Sequence, residues 1–191
     1  MKKICFFLLC VSVTAIINPL KAFAQKENFD LTTYTPPKNW KKEVKPNSYT
    51  SYSITNKQKK TYCQIFIMLS TNSKGGIKED FNSEWKELIQ KPNNKEPQDP
   101  GNIVKEIGGW KIITGRGKFT FNKTQSIAVL TTMSGYDRCV SIVATTNSLD
   151  YMPAIEQLLA SVEMKNLSTD NPVNPPAVQP VLQPTNLPTA S

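Results

Sequence analysis

Few residues in this chain have both the type and the spacing to carry chemistry. Asp80, Glu84 and Glu87 fall four and three positions apart, so on a helix they share one face as a partly acidic stripe. With Asp137 they are the candidates for a carboxylate-based glycan hydrolase, in which one carboxyl group protonates the leaving oxygen while a second faces it across a cleft. Carboxylates at this spacing on an exposed helix face normally point to water, so a solvated stripe is the stronger expectation. The chain contains no histidine. That removes Ser-His-Asp and Cys-His catalysis, imidazole-ligated zinc and the usual neutral-pH acid–base group. An enzyme built from this sequence would work with carboxylates, lysine or tyrosine, and no cluster of these stands out. A non-catalytic role without cofactor or metal is therefore expected.

Gly115-Arg116-Gly117 has the look of half a nucleotide loop, but the third glycine and the strand-to-helix context are missing. A bulge in a long strand is expected instead. Of the four cysteines, Cys5 and Cys10 belong to an apolar leader, leaving Cys63 and Cys139. Both fall in predicted strands, and export would place them where a disulfide persists. A structural bridge is expected, with two buried reduced thiols as the alternative. Their distance in sequence does not fit a redox pair, and two thiolates cannot make a four-ligand metal site.

The binding chemistry with most support is cationic and aromatic. Trp40, Lys41, Lys42, Tyr49, Tyr52, Lys57, Lys59 and Lys60 form a candidate face for an anionic partner, such as a surface polysaccharide, lipid head groups or an acidic protein. Lysines interleaved with aromatics also suit nucleic acid, but export makes that ligand less available. The structural alternatives are plain. Trp40 would plug one end of the core, and the lysines from Lys57 to Lys60 would form a solvated turn that discourages edge-to-edge pairing.

The elements that must position these residues are read from periodicity. Phe119 and Phe121 alternate with polar residues, Ile127 to Leu130 is an unbroken apolar run, and Cys139 to Thr145 follows after a turn at Ser134 to Asp137. Three strands of an antiparallel meander are predicted, the middle one buried on both faces, with Gly135 supplying positive φ in the turn. Asn147, Ser148 and Asp150 are candidate N-caps for a closing helix with Pro153 in its first turn and an apolar stripe of Ile155, Leu158, Leu159 and Val162. Upstream, Phe29 to Tyr34 reads as a short strand and Thr35 to Trp40 as a proline-stiffened loop. Tyr49 to Ile54 and Thr61 to Leu69 read as a hairpin with a lysine-rich tip. Ile77, Phe81, Trp85, Leu88 and Ile89 predict a helix over Ile77 to Gln90. Pro92 to Asn102 is expected to be a polar loop able to act as a lid, ahead of a strand from Ile103 to Ile107 and a turn at Gly108-Gly109.

The ends of the chain differ from this middle. Residues 1–24 have the signature of a cleavable signal peptide, with Lys2 and Lys3, an apolar stretch from Ile4 to Ile17 and Ala22-Phe23-Ala24 before Gln25. The stretch is short for a membrane span. Residues 25–164 read as one α+β domain. Residues 165–191, with six prolines and no aromatic residue, read as an extended Pro-rich linker or tail. The net charge of +8 falls to +5 without Lys2, Lys3 and Lys21. This excess lies between Gln25 and Lys60, where eight lysines meet three acids; beyond Lys60, twelve positive and twelve negative residues cancel.

The order strand, Pro-x-x-Trp loop (Pro37 to Trp40), hairpin, helix, meander and closing helix ending Leu158-Leu159-Ala160-Ser161 resembles the PsbP/Mog-type α+β sandwich. In detail, TYTPPKNWKKE, TYCQIFIMLST, GKFTFN and LTTMSGYDRCVSIVATTNS resemble a family of exported Bacteroidetes proteins, over about Phe29 to Met164. The resemblance implies an antiparallel sheet of about six to seven strands flanked by two helices, and a binding or assembly role in place of catalysis. It carries over no individual functional residue.

Overall fold

The computed structural model describes residues 25–93, 104–121 and 123–167. The expected signal peptide, most of the candidate lid and nearly all of the expected tail lie outside them.

The expected α+β architecture is present, with more strands than the sequence reading gave. The larger sheet is built from β3 (Lys41–Lys45), β4 (Tyr49–Asn56), β5 (Thr61–Met68), β7 (Val104–Ile107), β8 (Trp110–Phe121), β9 (Thr124–Gly135) and β10 (Arg138–Thr146). Its order is β3-β4-β5-β10-β9-β8-β7, and β6 (Thr71–Asn72) pairs with the start of β10. A smaller sheet has the order β1-β2-β11, from β1 (Glu27–Phe29), β2 (Thr32–Tyr34) and β11 (Glu163–Met164). All strand pairs are antiparallel. The strand expected over Phe29 to Tyr34 is thus a hairpin, because Asp30 takes φ 51° and reverses the chain. β3 has no counterpart in the sequence reading.

Both faces of the larger sheet are covered, each by a different element. On the first face Cys63, Ile65, Ile67, Val129, Val140 and Ile142 pack with Leu31 and Tyr34 of the small sheet and with Ile155 and Leu158. The last two belong to α3 (Met152–Ala160). Ser148 accepts from Asp150 N–H at 3.3 Å and starts a 3-10 turn, Leu149–Tyr151, that leads into α3. On the second face Ile113, Phe119, Ala128, Leu130 and Val143 pack under Ile77, Phe81, Trp85 and Ile89. This is the stripe predicted for the first helix, which runs as α1 (Ile77–Glu84), a π-helical turn (Trp85–Gln90) and a last α-helical turn, α2 (Lys91–Asn93).

The π turn follows from the spacing of the stripe. Residues four apart drift by about 40° around a helix of ~3.6 residues per turn, so Ile77, Phe81, Trp85 and Ile89 would spiral off the sheet. A wider turn rotates the chain less per residue, returning Ile89 to the buried face.

Three further expectations are corrected. Pairing of β8 with β9 runs in one unbroken register from Lys111↔Ser134 to Phe121↔Thr124, so Gly115-Arg116-Gly117 is no bulge. Gly117 instead leaves room for the Trp85 ring. In the β9–β10 turn the positive φ angles belong to Tyr136 and Asp137, at 53° and 57°, while Gly135 accommodates Gly109 O and the Trp110 ring. The packed structure also continues past Met164. Lys165 N–H bonds Leu31 O at 2.9 Å, Trp110 Nε1–H bonds Lys165 O at 3.0 Å, and Leu167 packs against the first core.

Candidate functional site

Antiparallel connectivity sorts the turns to two ends of the sheet. Thr146, the last residue of β10, lies opposite both Cys63 of β5 and Ile127 of β9. The β4–β5 tip, the β8–β9 tip and the turn after β10 therefore share one end. The Thr35–Trp40 loop joins them, since Lys41 begins a strand beside Ser53 and the Trp40 ring meets the Tyr151 ring edge to face at 6.0 Å.

At this end Lys57 and Lys59 with Asn56, Thr61, Asp150 and Tyr151 line an open cleft of about 490 Å³. Its walls are held by hydrogen bonds between distant segments. Tyr151 Oη and Thr61 Oγ1 are 3.0 Å apart, and Asn147 Nδ2 donates to Lys60 O at 3.0 Å while its Oδ1 accepts from Tyr62 N–H at 2.8 Å. Asn56 Oδ1 accepts from Lys59 N–H at 3.0 Å and shapes the tip. Lys59 Nζ lies 3.7 Å from Asp150 with both side chains exposed, so the pair is heavily screened by solvent.

Charge is concentrated here. Lys38 precedes Trp40 by two residues, Lys57, Lys59 and Lys60 form the β4–β5 tip, and Lys118 and Lys123 flank the β8–β9 tip. The same segments contain one acid, Asp150. At the opposite end Lys45 and Lys74 are offset by Asp30 and Asp137.

The candidate face from the sequence is thus divided. Lys57 and Lys59 line the cleft and Lys60 shares their hairpin tip, while Trp40 is partly buried and packs against the first core beside Tyr151, as the structural alternative for it expected. Tyr52 is 2% exposed and bonds to Tyr34 and Glu27 beneath the small sheet, so it is a core residue. Lys42 is paired with Glu27 at 2.6 Å. Lys41 stands on the other side of β3 from Lys42, and Tyr49 lies at the far end of β4 against Phe66, 5.2 Å between ring centres. Tyr151, Lys118 and Lys123 were not assigned to the candidate face by the sequence reading, which took Asp150 only as a possible helix cap, because only the strand order brings them to this end.

The carboxylates do not face one another across a cleft. Asp80 is fully buried and accepts from Ser73 Oγ at 2.8 Å, Lys74 N–H at 2.5 Å and Ser134 Oγ at 2.5 Å. Glu84, one turn on, also turns to the sheet. Burial raises its carboxyl above the usual range, with a bond from Ser141 opposing and the charge of Asp80 adding to the effect. These two residues correct the expectation of a solvated stripe. Glu87 is half-exposed and paired with Lys91 at 2.6 Å, and Asp137 is exposed in the β9–β10 turn at the other end. Among the described residues no group of three or more Cys, Asp or Glu side chains is placed to hold a metal.

The expected disulfide is absent. Cys63 and Cys139 are free and buried. Cys63 is opposite Thr146 and faces the first core, whereas Cys139 lies seven residues back along β10 near Glu84. At about 3.3 Å per residue this is roughly 23 Å, far beyond the ~7 Å limit for bridged Cα atoms.

No protein-family model matches the chain, and no curated protein matches it. Partial structural similarity is found to a Bacteroides thetaiotaomicron protein, with a TM-score of 0.48 and 12% identity over 74% of this chain and 48% of that one. LpqN of Mycobacterium tuberculosis, a protein involved in cell envelope biogenesis, has a TM-score of 0.37 and 9% identity over 70% of this chain and 82% of its own. The chain therefore spans about half the length of the Bacteroides protein.

Proposed function

We propose that this chain is an exported, non-catalytic binding module that engages an anionic envelope component through its lysine-rich end. One observation carries the reading: six lysines and a single acid, drawn from four separate segments, gather at one end of the sheet, where Lys57 and Lys59 line an open cleft. Such a concentration of one sign steers an oppositely charged partner and holds it in a salt-dependent way. The leader over residues 1–24 and the resemblance to PsbP/Mog-type domains are in keeping with it. The hydrolase alternative loses its geometric requirement, because Asp80 and Glu84 occupy one helix wedged against the sheet.

The test uses the exported form beginning at Gln25 and a soluble polyanion, dextran sulfate, titrated at increasing salt. Binding is expected to weaken steadily with salt and to fall by at least about tenfold when Lys57, Lys59 and Lys60 are replaced by glutamate. Binding that ignores both salt and charge reversal would refute the proposal.

A further inference from the structure

We infer that the anionic partner of this end is a lipid surface, into which Leu149 inserts as an apolar wedge. The inference rests on the reading above and adds the class of partner. Leu149 opens the 3-10 turn and is 69% exposed, the most exposed large apolar side chain among the described residues. A single exposed leucine is ordinary on a protein surface; its company here is not. The next two residues, Asp150 and Tyr151, line the cleft, and Trp40 stacks edge-on against Tyr151. Tryptophan and tyrosine favour the head-group level, where the ring is sheltered and the polar edge stays wet, and lysines extend their ammonium groups to phosphate from the same depth.

Geometry allows these groups to meet one plane together. Counting outward from the row that contains Thr146, Cys63 and Ile127, Leu149 is three residues on, while Lys59 and Lys123 are each four residues on. The two hairpin tips and the turn thus stand beyond the same end of the sheet. A head-group layer bearing anionic lipid complements both the charge and the apolar side chain. An acidic polysaccharide would satisfy the lysines but offers Leu149 no apolar phase. Among the described residues no helix is long and apolar enough to cross a membrane; the wedge is a contact made at the surface.

The test is co-sedimentation of the form beginning at Gln25 with phosphatidylcholine vesicles, with and without phosphatidylglycerol, alongside tryptophan emission. Trp85 and Trp110 are buried, so a shift on binding reports Trp40. Binding is expected only with phosphatidylglycerol, accompanied by a blue shift. Leu149→Ser should weaken it by about fivefold to tenfold without changing affinity for dextran sulfate. Unchanged vesicle binding by Leu149→Ser would overturn the wedge. Binding of dextran sulfate without vesicle binding would overturn the lipid inference and leave the broader reading standing; binding of neither would overturn both.

Discussion

A Cβ on Gly117 would lie 2.9 Å from Cζ2 of Trp85. Helix and sheet reach their present separation because one of the two residues has no side chain. Gly117→Ala is therefore expected to destabilise by about 1–3 kcal/mol through overpacking. Trp85→Ala should cost about 3–5 kcal/mol by opening a cavity. The two losses should not add, since removing the indole relieves the clash at position 117. Urea unfolding of both single variants and the double variant measures this coupling, and full additivity would contradict the contact.

Asp80 ties three separate segments together. Its carboxylate takes bonds from Ser73 and Lys74 before α1 and from Ser134 of β9, while its place in the first turn suits the helix dipole. Asp80→Ala should destabilise by about 3 kcal/mol or more, because three donors lose their shared acceptor. Asp80→Asn should recover part of that loss. Chemical unfolding checks both, and equal stability of Ala and Asn variants would argue against the hydrogen-bonded role.

The thiols of Cys63 and Cys139 should be reduced and slow to react in the native state. Burial pushes Cys63 up to about 12, against a smaller opposing bond from Thr146. It also raises Cys139, where Glu84 and Asp80 add negative charge. Little thiolate is then present at neutral pH. The form beginning at Gln25 is expected to show two reactive thiols once denatured, with or without reductant, and almost none when folded. A thiol count that rises on reduction would require a bridge that the strand register forbids.

Periodicity made the meander and both helices legible, because their apolar residues repeat at the interval of the face they bury. β3 was invisible for the converse reason. Lys41–Lys45 is exposed at every position, so no burial pattern marks it, and only its pairing with β4 makes it a strand. Glycines misled where they serve packing: Gly117 and Gly135 make space for Trp85 and Trp110, which a sequence does not distinguish from a bulge or a positive φ. At the site, the lysine tip could be read as a local charge run. Tyr151 and Asp150 stand about ninety residues farther along and join it only through the β5–β10 pairing.

Two glutamates should pull stability in opposite directions as pH changes. Burial alone would raise Glu27, but bonds from Lys42 and Tyr52 and the charge of Lys42 outweigh it, holding the carboxyl below its ordinary value of 4.5. The folded state therefore releases this proton more readily than the unfolded chain. Glu27 supports folding above the ordinary value, and that support is lost as pH falls through its depressed folded value. Glu84 is raised, chiefly by burial, so the folded state holds its proton more tightly. Its support is complete below the ordinary value and is lost as pH rises through the raised one. Relative to the parent, Glu27→Gln should become progressively less stable as pH increases up to about 4.5, then keep a constant deficit. Glu84→Gln should gain relative stability as pH increases from that same value, then level off. Urea midpoints from about pH 3 to about pH 7 separate the two, because the trends have opposite sign and occupy adjoining windows. Parallel curves for both variants would mean that neither carboxyl feels the surroundings assigned to it.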